Sequence, residues 1–134
     1  VIVVTNQSGV ARGYFPYSAV QKMNDTLQKM LQNYHAHIDR FYVCPHHPDG
    51  IIKSYNISCT CRKPGLLLFQ QAQKDFEIDM GQSYAAGDKL SDIQDLYKMG
   101  IRRTCLIGNS GRADCYSSLM EFTDSVLREC MNGN

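Results

Sequence analysis

No apolar run in this chain approaches the roughly 20 residues that a membrane-spanning helix needs. No signal-peptide pattern is visible either. A strong charge of one sign is also missing: the formal net charge is +1. That balance leaves no electrostatic footprint for nucleic acid or an anionic membrane surface. Internal repeats, linkers and low-complexity stretches are absent, as is an initiator Met. The chain opens Val1-Ile2-Val3-Val4 inside an apolar run, the mark of a strand buried on both faces. Such a strand rarely begins at a charged amino terminus, so the chain is expected to be a fragment. Its 134 residues, 43% hydrophobic and 20% charged, suffice for one modest soluble domain, expected to be monomeric.

Six cysteines are present, and their arrangement is uneven. The stretch Cys44 to Cys61 reads CPHHPDGIIKSYNISCTC, with Cys44, His46, Cys59 and Cys61 as two short pairs separated by twelve residues. Four thiolate and imidazole donors suit a closed tetrahedral zinc. A disulfide loop is the competing reading, but Cys59 and Cys61 are too near in sequence to pair with each other without strain. Between the pairs lie Pro45, Pro48, Asp49, Gly50, Ser54, Asn56 and Ser58, a composition of turns. It offers too little apolar area to offset its ordering entropy, which a metal could supply. Cys105, Cys115 and Cys130 remain, an odd number, which favours a reduced, cytoplasmic setting.

The rest of the chain alternates strand and helix. Residues 1–4 form the first strand, and Thr5-Asn6-Gln7-Ser8-Gly9 a polar loop at its carboxyl end. Val20, Met23, Leu27, Leu31 and Tyr34 recur at helical spacing, predicting a helix over about 17–34 with that stripe in the core. Residues 38–43 form a second strand, with His35 and His37 just before it on the surface. A helix over 65–76 presents Leu67, Leu68, Phe69 and Ala72. A short strand at 83–86 leads to Gly87-Asp88, a helix over 90–99 turns Ile93, Leu96 and Tyr97 inward, and a strand spans 101–107. Residues 108–114 form a loop. Beyond it, residues 115–130 are ambiguous by pattern: Tyr116 to Phe122 is compatible with helix and Asp124 to Leu127 with a short edge strand. Alternation of this kind predicts an α/β, Rossmann-like parallel sheet with helices on both faces, incomplete at its amino end and carrying the zinc loop.

In open α/β sheets ligands bind at the carboxyl ends of the strands. There stand Thr5 and Asn6, then Arg62 and Lys63 directly after the metal pairs, then Gly87-Asp88-Lys89-Leu90-Ser91-Asp92. Arg and Lys grip phosphate. Two carboxylates near them suit Mg²⁺, which bridges to substrate phosphate and keeps several waters. Taken singly, Asp88 is as well explained as a helix cap and Asp92 as a solvated helix residue; their joint occurrence at strand ends favours a site.

These residues resemble a known family. Val-Val-Thr-Asn-Gln-Ser-Gly, Cys-Arg-Lys-Pro and Gly-Asp-Lys-x-x-Asp are similar to the second, third and fourth motifs of the haloacid dehalogenase-like phosphatases. The zinc spacing followed by Arg62-Lys63-Pro64, and Thr-Asn-Gln-Ser-Gly-Val-Ala-Arg-Gly, resemble the D-glycero-D-manno-heptose 1,7-bisphosphate phosphatases; the histidinol-phosphate phosphatases carry a shorter loop. The resemblance covers about residues 1–107. It implies a sugar-phosphate substrate, structural Zn²⁺ and catalytic Mg²⁺, in a route to heptose-containing lipopolysaccharide or S-layer glycans. Thr5 would bind the phosphoryl oxygens and Lys63 neutralise their charge. Asp88 would ligate Mg²⁺ with Asp92 in support, and Arg62, with Asn6, Gln7, Ser8, Arg12 and Lys89, would contact substrate. Two departures stand out. The nucleophile and general acid of the family, an Asp-x-Asp-Gly pattern, are absent from the chain. Pro64 also runs straight into Gly65, two residues sooner than relatives usually do, which leaves the aim of Arg62 open.

Overall fold

A computed structural model describes residues 1–108 and 115–133, which form two compact units divided at Asp75 and Phe76. The first unit begins with β1 (Ile2–Asn6). A tight turn follows, then α1 (Tyr17–Gln32), β2 (Arg40–Cys44), the 45–61 loop and α2 (Leu67–Phe76). Pro16 precedes α1 in extended backbone, as its ring and missing N–H dictate. β1 and β2 pair in parallel, with Thr5 opposite Val43 and Asn6 opposite Cys44. The register places the polar end of one strand beside the first metal-type ligand of the other.

The expected boundaries shift by one or two residues, and burial differs more. Every residue of β1 is half-buried rather than fully buried, and among the described residues its ladder partner is β2. On α1 only Val20 is fully buried; Met23, Leu27 and Tyr34 are exposed. The 3.6-residue period located the helix but not how much of its stripe is covered. α1 is instead fastened by an amide: Gln28 donates to the carbonyl of Ile38 at 2.6 Å and accepts the Ile38 N–H at 2.8 Å. On α2, Leu68 and Ala72 are buried while Leu67 is exposed. α2 is tied to β2 by Asp75, which accepts from Tyr42 at 2.6 Å and Arg40 at 2.9 Å. Burial, then the bond to Asp75, raise the Tyr42 phenol above its ordinary range. His35 and His37 are exposed, as expected.

The second unit holds β3 (Tyr84–Gly87), α3 (Leu90–Ile93), β4 (Arg103–Ile107), β5 (Cys115–Tyr116) and α4 (Leu119–Asn132). The three strands form a parallel ladder in the order β3-β4-β5. Among the described residues every strand pair within each of the two ladders is parallel, as the alternation predicts. The helix expected over 90–99 is a short α-turn followed by a 3-10 turn at Leu96–Met99, ended by Gly100 at φ 74°. Ile93 and Leu96 are buried, whereas Tyr97 is 69% exposed, because tightening to 3-10 rotates it off the inner face.

The carboxyl-terminal expectation needs correction. Tyr116 belongs to β5, and Asp124 to Leu127 lie inside α4, not in a strand. The cause is a reciprocal cap: Ser118 Oγ accepts the Glu121 N–H at 3.2 Å, and Glu121 accepts the Ser117 N–H at 3.1 Å. The loop expected at 108–114 lies, beyond Gly108, outside the described residues. Among the described residues no disulfide is formed, and no helix is long and apolar enough to cross a membrane.

Because Gln28 holds the entry to β2 through two buried-edge hydrogen bonds, Gln28→Ala is expected to cost about 1–3 kcal/mol of unfolding free energy. Urea titration checks this, and a loss below a few tenths would show that the Ile38 groups find water instead.

Candidate metal and phosphate site

The donors Cys44 Sγ, His46 Nδ1, Cys59 Sγ and Cys61 Sγ all lie within 4.8 Å of one another. Cys61 stands 3.2 Å from Cys44 and 3.2 Å from Cys59, Cys44 stands 3.6 Å from Cys59, and His46 Nδ1 is 3.2 Å from Cys61 and 3.7 Å from Cys44. Bonds of about 2.3 Å to sulfur and 2.0 Å to nitrogen give a tetrahedron with edges of about 3.6–3.8 Å. The cluster is near that size, and its donor types are those zinc selects. Burial pushes the Cys44 thiol up, and more strongly the Cys61 thiol. At Cys59 burial also acts upward, but bonds from the Cys61 thiol and the Arg62 N–H outweigh it and the pKa falls.

The loop around the cluster has little core of its own. Ile51, Ile52 and Ile57 are exposed. It is seated on the turn after β1: the Ile52 N–H bonds the Ala11 carbonyl at 3.0 Å, and Val10 and Ala11 are buried. Gly50 makes the approach possible, since a Cβ there would fall 2.7 Å from the Ala11 carbonyl oxygen. Arg12 reaches across to His47 at 3.1 Å. Tyr55 stacks on Tyr17 with centroids 6.4 Å apart.

Directly after Cys61 the chain returns to β1. Lys63 Nζ donates to the Val4 carbonyl at 2.7 Å, its N–H donates to Asn6 Oδ1 at 3.0 Å, and its carbonyl accepts from Asn6 Nδ2 at 3.2 Å. Thr5, between those two strand residues, accepts from the Gln7 amide at 2.9 Å. Arg62 points back to the loop, its guanidinium 3.5 Å from the His46 carbonyl. Gly65 closes this turn: a Cβ there would fall 2.2 Å from the Thr60 carbonyl oxygen. The short Pro64-Gly65 junction is accommodated by that close approach, and α2 starts only at Leu67. Thr5, Asn6, Gln7, Ser8, Arg12, Arg62 and Lys63 all belong to the first unit.

In the second unit, Asp88 is exposed one residue past β3. Lys89, not Asp88, is the cap position of α3. Asp92 Oδ2 accepts the Lys89 N–H at 3.0 Å. Gly87 is what lets the carboxylate stand there, because a Cβ on residue 87 would meet Asp92 Cβ at 2.4 Å and Oδ2 at 2.9 Å. One or two carboxylates with open water positions fit Mg²⁺, whose remaining ligands are waters and substrate phosphate.

The four metal-type donors expected from their spacing converge in the structure. Sequence reasoning carries no reading of Asn6 as a backbone bridge, although an amide between a strand end and a Lys-Pro turn is a signal for one. No family profile matches the chain. A Haemophilus ducreyi D-glycero-beta-D-manno-heptose-1,7-bisphosphate 7-phosphatase is 41% identical over 114 residues, which is 84% of this chain and 62% of that protein. A crystal structure of a Mesorhizobium loti protein named as a HAD-like phosphatase superposes with a TM-score of 0.81 at 29% identity, covering 95% of this chain and 64% of that one. D,D-heptose 1,7-bisphosphate phosphatase from B. bronchiseptica, solved with magnesium and phosphate, superposes with a TM-score of 0.78 at 25% identity, covering 96% of this chain and 74% of that one. The chain spans 49% to 62% of the length of the curated relatives it matches.

Thiols must lose protons to bind metal, and burial shifts two of these three further from the thiolate. Zinc added to chelator-stripped protein is therefore expected to acidify a weakly buffered solution, and bound zinc to be released as pH falls. Elemental analysis across pH checks both; uptake without proton release would refute a thiolate site. Gly87→Ala is expected to push Asp92 off the Lys89 N–H, read as faster exchange of that amide.

Proposed function

We propose that this chain, similar in sequence and fold to haloacid dehalogenase-like phosphatases, is the zinc-stabilised part of a Mg²⁺-dependent sugar-bisphosphate phosphatase. The substrate is D-glycero-D-manno-heptose 1,7-bisphosphate, cut at the 7-phosphate, in a cytoplasmic route to nucleotide-activated heptose. The observation that carries the reading is Lys63, bonded to the strand residues on either side of Thr5 and separated by one residue from a zinc-type cluster. The similarity to heptose bisphosphate phosphatases supports the substrate class.

Structural Zn²⁺ is held by Cys44, His46, Cys59 and Cys61. It orders residues 45–58 and fixes where Arg62 and Lys63 emerge. The Thr5 hydroxyl hydrogen-bonds the phosphoryl oxygens, and the Lys63 ammonium neutralises charge that grows on them in the transition state. Arg62, Arg12, Gln7, Ser8 and Lys89 contact the remainder of the substrate. Asp88 would hold Mg²⁺, which would neutralise phosphate charge, with Asp92 in support and itself steadied by the Lys89 N–H. The attacking carboxylate is an Asp of the family's Asp-x-Asp pattern, which these 134 residues do not contain; we place it in a further segment of the protein. It displaces the sugar oxygen from phosphorus, the second Asp gives that oxygen its proton, and water then cleaves the aspartyl-phosphate.

In the full-length protein, Lys63→Ala is expected to lower kcat on the order of 100- to 1,000-fold with a smaller change in KM. Arg62→Ala is expected to raise KM for the heptose bisphosphate by about tenfold or more. Asp88→Asn is expected to abolish turnover at limiting Mg²⁺ and recover part of it at high Mg²⁺. Steady-state assays at several Mg²⁺ concentrations check all three; an unchanged kcat in Lys63→Ala would remove the lysine from the chemical step.

A further inference from the structure

Asn6 follows Thr5 at the end of β1, and its side chain engages both polar groups of one residue, 57 positions away. Oδ1 accepts the Lys63 N–H at 3.0 Å and Nδ2 donates to the Lys63 carbonyl at 3.2 Å. A primary amide carries acceptor and donor side by side, so it can stand in for a strand pair where the ladder has ended. β1 stops at Asn6, and Lys63 belongs to no strand. The ammonium of the same lysine bonds Val4, two residues earlier on β1. The lysine is thus attached to the residues on both sides of Thr5, by its head and by its backbone.

These attachments are not equivalent. A lysine stem is long and flexible, and one bond at Nζ does not hold its Cα. The paired amide bonds fix the position and direction of the backbone from which the stem leaves. We infer that Asn6 is a positioning residue: it clamps the Lys63 backbone to β1 so that the ammonium is presented beside Thr5. This inference rests on the phosphatase reading for its effect on rate, but the clamp has its own readout. Asn6 also lies opposite Cys44 in the β1–β2 register. The amide therefore joins the first metal-type ligand's strand pair to the residue that leaves the last ligand.

The test uses full-length, zinc-loaded protein as wild type, Asn6→Ala, Lys63→Ala and the double variant, with Asn6→Asp as the partial rescue. Asn6→Ala is expected to lower kcat on the order of 10- to 100-fold with little change in KM. The double variant should be no slower than Lys63→Ala, since a residue acting only through the lysine loses its effect when the lysine is gone. Amide exchange at Lys63 should quicken about tenfold or more in Asn6→Ala, and Asn6→Asp, which keeps the acceptor, should retain protection. A raised KM with kcat intact would make Asn6 a direct substrate contact, and additive losses would make it independent of Lys63; either overturns the inference. If wild type shows no turnover, the phosphatase reading falls, and unchanged Lys63 exchange in Asn6→Ala overturns the clamp on its own. Should Asn6→Ala not fold, Asn6→Ser, whose short hydroxyl cannot bridge both Lys63 groups, carries the same comparisons.

Discussion

The first unit depends on the convergence of Cys44, His46, Cys59 and Cys61 on one point. Without a shared cation, three thiols and an imidazole at 3.2–3.7 Å gain little from one another. The loop they close exposes its isoleucines and is largely turn. Its order must therefore come from the cluster and from its seat on Val10 and Ala11. A zinc ion, on the proposed reading, would supply the missing free energy, because binding to a site absent in the unfolded chain is folding free energy. Everything downstream of Cys61, including Lys63 and the start of α2, inherits its position from that closure.

Backbone, more than side-chain bulk, transmits the position. Gly50 and Gly65 let the loop and the Lys63 turn press against carbonyl groups that any Cβ would strike. Asn6 and Gln28 each bridge one peptide unit from outside the regular ladder. In the second unit Gly87 plays the corresponding part for Asp92. Of the residues proposed for chemistry, Arg12, Lys63 and Asp92 stand at or beside these close approaches.

Much of this was legible in the sequence because the signals are local. The ligand spacing around residues 44–61, the strand-to-polar transition at Thr5 and the Gly-Asp pair at 87–88 are short patterns with one economical explanation. Helix positions were legible too, since the Val20 to Tyr34 period is clear. What failed were inferences about cover. The same period placed Met23 and Leu27 in a core where they are exposed, because periodicity reports which residues share a face and not what lies on it. β1 looked buried on both faces from composition, yet its residues are only half-buried. The α4 region was ambiguous by pattern alone, and its helical state is marked instead by the Ser118 cap on the Glu121 N–H. The clamp by Asn6 was invisible because it spans 57 residues and closes only after the loop has folded.

The most direct test of the account is to remove the metal and watch the phosphate site. Inorganic phosphate binding is followed by calorimetry in one sample as zinc is withdrawn by a chelator and then restored, with amide exchange at Lys63 measured alongside. The account predicts that phosphate affinity and Lys63 protection fall together in proportion to zinc lost, and return with it. Phosphate affinity and Lys63 protection that persist in zinc-free protein would contradict the claim that the cluster positions the lysine.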